Sequence, residues 1–509
     1  MTVYEHYKPL RNFLRRFPLI ESLNFIWLYS EHLAHKLPLP PAQQFTNEYG
    51  LPRKMRETLY PWEVELICRE IVLNAERSGD HSLGKWPDLS KTINHVRRIE
   101  NDISGERDLG RTIMRELHRI VHRQFPWQRP PGVNSMMRYY KIFGTGGMNA
   151  ILERETGLTM KKFFTLGLAA AGHFMKKPGM SVAQDYSAFG VSSAEAAGFY
   201  DRLTTTVPDL KESTRKVQRY DSSWAYSFNP LAARPLVSFD PSHPERVICP
   251  IPVYLLRRIT DGLFYDLASA EGFDNAFGHS FQDYVGEILR VACPAPRFEV
   301  IAEREYQVGR YRKDGVDWIL SDDSANLFVE CKTKRLRHDA KFLDDATGLE
   351  AALEAMAGYI VQHYKNIRDA MDGKTNWKPN GRPVLPIIIT LEDWWLFNPE
   401  IIGALDKQVE AQMGKAQLPL EILKTMPFTV ASVDEFELAA QVIEKTGILK
   451  FIGQKSGPER RQWALSPFAL GEFPDEVRSV NRRLFADEFN RIGEELRPQP
   501  AKSVEVPTS

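Results

Sequence analysis

The segment VLPIIITL, residues 384–391, constrains the fold most. It is strongly apolar and shows no polar–apolar alternation. A run of that kind suits a central strand covered on both faces. Such a strand needs sheet neighbours beside it and helices above and below it, which is a layered α/β arrangement.

The surrounding sequence supplies those parts. DGLFYDLASA and FGHSFQDYVGEILRVA carry helical spacing. Three extended segments follow, RFEVIAEREYQV, GVDWIL and NLFVECK, joined by the polar turns GRYRKD and SDDSA. An amphipathic helix is expected over about 348–371, ahead of the apolar run. FTVASVDEFELAAQVI reads as one more strand–helix pair. The order is helix, three strands, helix, strand, with a short meander feeding a mixed sheet.

Residues 1–220 read as mainly helical. Apolar positions recur three and four apart in PWEVELICREIVLNAE and RTIMRELHRIVHRQF, and LPLPPAQQ and WQRPPG break the helices. Residues 221–260 turn rich in Pro, Ser and aromatics and read as a connecting arm. The expected division is a helical domain at 1–220, that arm at 221–260, a mixed domain at 261–450, and a helical extension at 451–509. The tail from about 495 is expected to be disordered.

Chemistry concentrates around Asp317, Glu330 and Lys332. On a strand over 326–332, Glu330 and Lys332 share a face, because side chains repeat every second residue. A hairpin through SDDSA brings Asp317 beside Glu330. Two carboxylates suit a hard divalent cation, which polarises a phosphoryl group and activates water. A lysine on the same face can orient that water or neutralise developing charge. The alternative is a charged edge strand with a solvated Glu330–Lys332 pair.

This arrangement resembles the PD-(D/E)xK superfamily, the restriction-endonuclease-like fold, over roughly 265–395. The resemblance implies that Asp317 and Glu330 are metal ligands and Lys332 is the catalytic lysine. It implies Mg²⁺ or Mn²⁺ as cofactor and nucleic acid as substrate, DNA ahead of RNA. It also implies endonucleolytic hydrolysis, in a setting of bacterial defence or DNA processing. Many members carry a Gln in the helix after the ExK strand, and Gln362 matches. Members often place a Glu on the first helix. Here FGHSFQDYVGEIL puts Gln282 in that slot, with Asp283 and Glu287 nearby, and Glu287 is the tentative further ligand. The expected fold class is α + α/β: a mainly helical N-terminal half joined to a restriction-endonuclease-like mixed β-sheet flanked by helices.

Other signals are weaker. Arg111, Arg115, Arg119 and Arg123 recur every four residues, a basic stripe that could follow phosphates or lie solvated. Lys334, Arg335 and Arg337 follow the ExK motif and could grip substrate phosphates. His118 and His122 stand four apart, but HRIVH lacks the Glu of HExxH. MSVAQDYSAFGVSSAEAAGFYDRLTT resembles a helix-turn-helix with a turn at Gly190 and a capping box from Ser192 to Glu195. Its second helix is poor in base-reading residues, which favours packing. FGTGGMN lacks the GK[ST] of a phosphate loop and reads as a turn.

Composition sets limits. With 66 basic and 66 acidic residues, net charge offers nothing for nucleic acid, so a binder must segregate its charges. Cys68, Cys249, Cys293 and Cys331 form no CxxC pair, which argues against a zinc ribbon or a disulfide scaffold and for a reducing cytoplasm. The interrupted N-terminal apolar stretch does not read as a secretory signal. Residues 163–175 are too short an apolar run to span a membrane. The helical half is expected to supply recognition, a partner-protein surface or a homo-oligomer contact. The competing function is a DNA-binding or scaffold protein with a decayed, non-cutting nuclease fold.

Overall fold

In a computed structural model, the chain is described at residues 2–39, 54–105, 109–302, 304–343, 347–396, 399–480 and 483–495, the side chains of 109–112 excepted. The N-terminal half is helical and the C-terminal half carries a mixed sheet. The expected disordered tail lies outside the described residues from 496 onward. The chain forms two compact units. The first comprises Met1–Leu109, Pro126–Glu271 and Phe485–Ser509, and the second Gly110–Phe125 and Gly272–Leu484.

These units differ from the sequence-based division. Residues 221–260 are no connecting arm: they belong to the first unit. Four short strands there form a sheet of order β1-β4-β3-β2: β1 Gly179–Ser181, β2 Thr204–Thr206, β3 Leu236–Ser238 and β4 Arg246–Ile248. Leu236, Val237, Val247 and Ile248 are buried, and that burial makes the segment structural. The 451–509 extension is divided, 451–484 packing in the second unit and 485–495 in the first.

Helices dominate the first unit. Pro61–Asn74 starts with proline at its first position, where no N–H is needed, and Glu63 folds back to accept the Tyr60 amide at 3.0 Å. Its Arg69 and Glu70 are fully buried and joined at 2.8 Å. The apolar run near 163–175 is the buried helix Met160–Phe174. FGTGGMN is the junction between the helices Val133–Gly144 and Gly146–Thr156.

The segment read as a helix-turn-helix has only one helix, Ser193–Leu203. Ser192 and Glu195 do form the expected capping box, and Gly190 takes a left-handed φ of 70°. Ahead of it stands a single 3₁₀ turn, Ser187–Phe189, after a β-strand. Two packed helices therefore do not arise.

The second unit is built on a five-stranded sheet of order β11-β10-β9-β8-β5. Its strands are β5 Glu299–Ala302, β8 Trp318–Ser321, β9 Asn326–Lys332, β10 Val384–Thr390 and β11 Thr429–Ser432. β5, β8 and β9 are antiparallel neighbours, while β9, β10 and β11 run parallel. Every residue of β10 is buried, as the apolar run requires. Pro386 stands one residue before β11 begins to pair at Ile387, where β10 is flanked by β9 alone and a missing N–H is tolerated. The stretch read as a single extended segment is divided. β6 Tyr306–Val308 leaves the sheet and pairs with β7 Tyr311–Lys313 in a separate hairpin.

Helices cover both sheet faces. Phe273–Ala292 lies against β8: the Trp318 indole donates to the Gln282 carbonyl at 2.9 Å, and a side chain at Gly286 would meet that indole at 2.1 Å. Only glycine permits this approach. Thr347–Met371 covers the opposite face, where Ile319, Phe328 and Ile388 of the strands pack with its Ile360, Tyr364 and Ile367.

Among the described residues no helix is long and apolar enough to cross a membrane. All four cysteines are unpaired, and Cys68, Cys249 and Cys293 are buried.

Candidate functional site

β8 and β9 form the hairpin that positions the acids. Trp318 pairs with Val329 and Ile319 with Phe328, and Asp317 stands one residue before β8, outside that ladder. Asp317 is pinned across the strands: its Oδ2 accepts the Cys331 amide at 2.5 Å.

Lys332 shares one face of β9 with Glu330 and donates from Nζ to Glu330 Oε1 at 2.6 Å. The pair is enclosed, with side-chain exposures of 26% for Lys332 and 6% for Glu330. Burial pushes the Glu330 carboxyl upward, but the neighbouring His363 ring and Lys332 ammonium outweigh it and hold the carboxyl below its usual range. Burial pulls Lys332 down, and the Glu330 charge more than reverses this. Both groups are therefore charged at neutral pH.

Two side chains of the Thr347–Met371 helix frame this pair, and the sequence reading missed both. His363 Nε2 bonds the Phe328 carbonyl at 3.1 Å, and its Nδ1 lies 3.4 Å from Glu330 Oε2. That second contact lacks hydrogen-bond geometry, so the buried Oε2 has no hydrogen-bond partner. The Lys332 ammonium stands 5.3 Å over the Tyr359 ring. A signal for His363 was present: it follows Ile360 by three and precedes Ile367 by four, which places it on the apolar helix face.

Other expected positions fall elsewhere. Gln362 is exposed and donates to Asn366 at 3.0 Å, so its neighbour His363 holds the inward place. Gln282, Asp283 and Glu287 lie on Phe273–Ala292, which packs on the Trp318 face. Glu330 points to the other face. The layer order puts the helix that carries the tentative ligand Glu287 on the sheet face opposite Glu330.

The basic positions need correction too. Arg335 is buried and its Nε meets Glu392 Oε1 at 2.6 Å, while Lys341 reaches Oε2 at 2.8 Å. Burial pushes the Glu392 carboxyl up, yet these two cations hold it down at about 2. Arg335 therefore anchors the chain after β9, whereas Lys334 and Arg337 are exposed.

The expected basic stripe also turns inward. Arg115 donates to the carbonyls of Asp339, Ala340 and Leu343, and Arg119 to that of Phe342. They cap the carbonyl end of the helix His338–Phe342, where the helix dipole favours cations. Ile113 and Leu117 of their own helix are 49% and 44% exposed instead. The side chain of Arg111 lies outside the described residues.

His118 and His122 are buried, with their Nε2 atoms 3.2 Å apart. Burial, then the Arg115 charge, lowers His118 to about 4, and burial with the His118 charge lowers His122. Cations at Arg115 and Lys341 make this a poor metal pair.

A histidine lowered in the fold from 6.5 stabilises fully above that value and loses the contribution as pH falls toward the folded value. At about 1.4 kcal/mol per pH unit, His118 alone contributes about 3 kcal/mol. Thermal melts from pH 7.5 down to 4.5 should show a steep acid loss that His118→Gln flattens. An unchanged slope would refute this.

Among the described residues, no group of three or more His, Cys, Asp or Glu stands placed to hold a metal ion. No protein-family model matches the chain, no curated protein matches it, and no solved structure matches it.

Proposed function

We propose that the second unit is a restriction-endonuclease-like nuclease domain that hydrolyses phosphodiester bonds of nucleic acid, DNA ahead of RNA, with Mg²⁺ or Mn²⁺. The observation that supports this is the bond of Asp317 to the Cys331 amide, between Glu330 and Lys332 in the chain, with Lys332 bonded to Glu330 on one face of β9.

The side chains fit a magnesium-type ion. Such an ion needs one or two carboxylates, with water and substrate phosphate completing its shell. Glu330 presents a buried oxygen without a hydrogen-bond partner, 3.4 Å from His363 Nδ1, and Asp317 is held at the amide of the next residue, Cys331. Bound there, the ion would supply Lewis-acid polarisation of the phosphoryl group. The chain's own groups do the rest. Glu330 and Asp317 hold negative charge at a fixed spacing. Lys332 can exchange its bond to Glu330 for one to a phosphoryl oxygen or the attacking water. His363 and Tyr359 close the space behind the pair and keep Glu330 from turning away.

The enclosed Glu330–Lys332 ion pair also favours a second reading, a nuclease fold that binds without cutting. Incubation of the full chain with linear DNA, plasmid and RNA, with Mg²⁺, Mn²⁺ or EDTA, separates the two. Cleavage is expected with either metal and not in EDTA. No cleavage of any substrate, or equal cleavage in EDTA, would overturn the nuclease reading.

A further inference from the structure

A second feature of the same unit lies at the carboxyl ends of β10 and β11, the edge where open α/β sheets bind ligands. There a small open cleft is lined by Trp394, Trp395, Trp463, Phe428, Lys455 and Glu435. It adjoins the candidate catalytic residues. Thr390 lines it and is the register partner of Lys332, and the Trp394 indole donates to the Lys334 carbonyl at 3.4 Å. Adjacent strands lie about 5 Å apart, so the two places suit neighbouring nucleotides of one strand.

Several features mark the cleft as built for a ligand. Lys455 is only 4% exposed, yet one of its three N–H groups is bonded, to the Arg461 carbonyl at 3.1 Å. Arg461 itself is committed to Asp406 and stacks 5.0 Å from the Phe428 ring. Trp395 holds a left-handed φ of 51°, which a bulky side chain rarely adopts. Its ring is fixed edge-on at 4.9 Å from Phe125. Trp463 is 42% exposed at the rim. The carboxylates of Asp393 and Glu435 also line the cleft and would repel a phosphate. This lining suits a flat, aromatic, uncharged group with an acceptor for the ammonium.

We propose that this cleft takes one unstacked nucleobase of the substrate strand, its ring against Trp395 and Trp463 and a ring carbonyl on the Lys455 ammonium. The assignment rests on nucleic acid being the substrate of the neighbouring acids. Thymine, cytosine and guanine carry such a carbonyl and adenine does not. Stacking alone would favour adenine over thymine, so preference for thymine is diagnostic.

The test is anisotropy of labelled oligo(dT), oligo(dA) and oligo(U) with the full chain in EDTA, where binding is read without cleavage. Oligo(dT) should bind more tightly than oligo(dA), and the oligo(U) arm shows whether a ribose strand without the thymine methyl is also accepted. Trp463→Ala should weaken oligo(dT) binding by about tenfold, and Lys455→Met should bring oligo(dT) down to the oligo(dA) level. Trp463 is at the surface, so its variant keeps the test open should Lys455→Met fail to fold. Equal binding of oligo(dT) and oligo(dA), or unchanged binding by Trp463→Ala, would overturn the cleft. Cleavage by the parent without any thymine preference overturns the cleft alone. Thymine preference lost in Trp463→Ala, in a parent that cuts nothing, supports the cleft and overturns only the nuclease reading.

Discussion

Lys332→Ala should lower metal-dependent cleavage by about 10² to 10³, the usual cost of removing one preorganised charge from a phosphoryl-transfer site. The amine sits 2.6 Å from Glu330 Oε1, on the side of the sheet that His363 and Tyr359 close. Glu330 pairs there with Lys332 and with the His363 ring. The variant also leaves a buried carboxylate without its ammonium, so some loss of stability is expected as well. Comparing rates well below the melting temperature separates the two effects. Equal cleavage by variant and parent would remove Lys332 from the chemistry.

The largest stability effect should come from Arg69→Met in the first unit. Arg69 and Glu70 are fully buried and adjacent. The guanidinium donates to Glu70 Oε1 at 2.8 Å, to the Trp224 carbonyl at 2.8 Å and to the Ser227 carbonyl at 2.7 Å. Tyr7 and Gln218 complete the carboxylate's shell. Methionine fills the volume but leaves Glu70 charged and unneutralised, and breaking a buried pair from one side costs about 3–5 kcal/mol. For a unit of this size that lowers Tm by roughly 10 °C. Adding Glu70→Gln should restore part of the loss, because the orphaned charge is then gone. A drop under about 2 °C for the single variant would show that water or a rearranged partner takes over.

Legibility followed locality. The central strand was readable because eight mostly apolar residues without alternation leave few alternatives, and β10 is buried throughout. The β8–β9 hairpin was readable because its strands are separated by a short polar turn and alternate in character. The four-stranded sheet of the first unit was not. Its strands are three residues long and drawn from positions between 179 and 248, so only long-range pairing defines them.

Side-chain direction was the other gap. A spacing of four puts Arg115 and Arg119 on one face of a helix, but it does not say whether that face meets solvent or the carbonyl end of another helix. Arg69 and Glu70 are likewise adjacent on a helix read only from its apolar spacing, which does not say that both charges are buried. Gln362 and His363 are adjacent, and the resemblance drew attention to the first while helical phase favoured the second. Layer order, which puts the helix carrying Glu287 on the face opposite Glu330, is tertiary information that no local pattern carries.

The central claim is that the carboxylates of Asp317 and Glu330 share one divalent cation. Calorimetric titration of the full chain with Mn²⁺ tests this without any substrate. Saturable binding is predicted, weakened about tenfold or more by Asp317→Asn and again by Glu330→Gln. Identical binding by parent and both variants, or no binding by a folded parent, would contradict it.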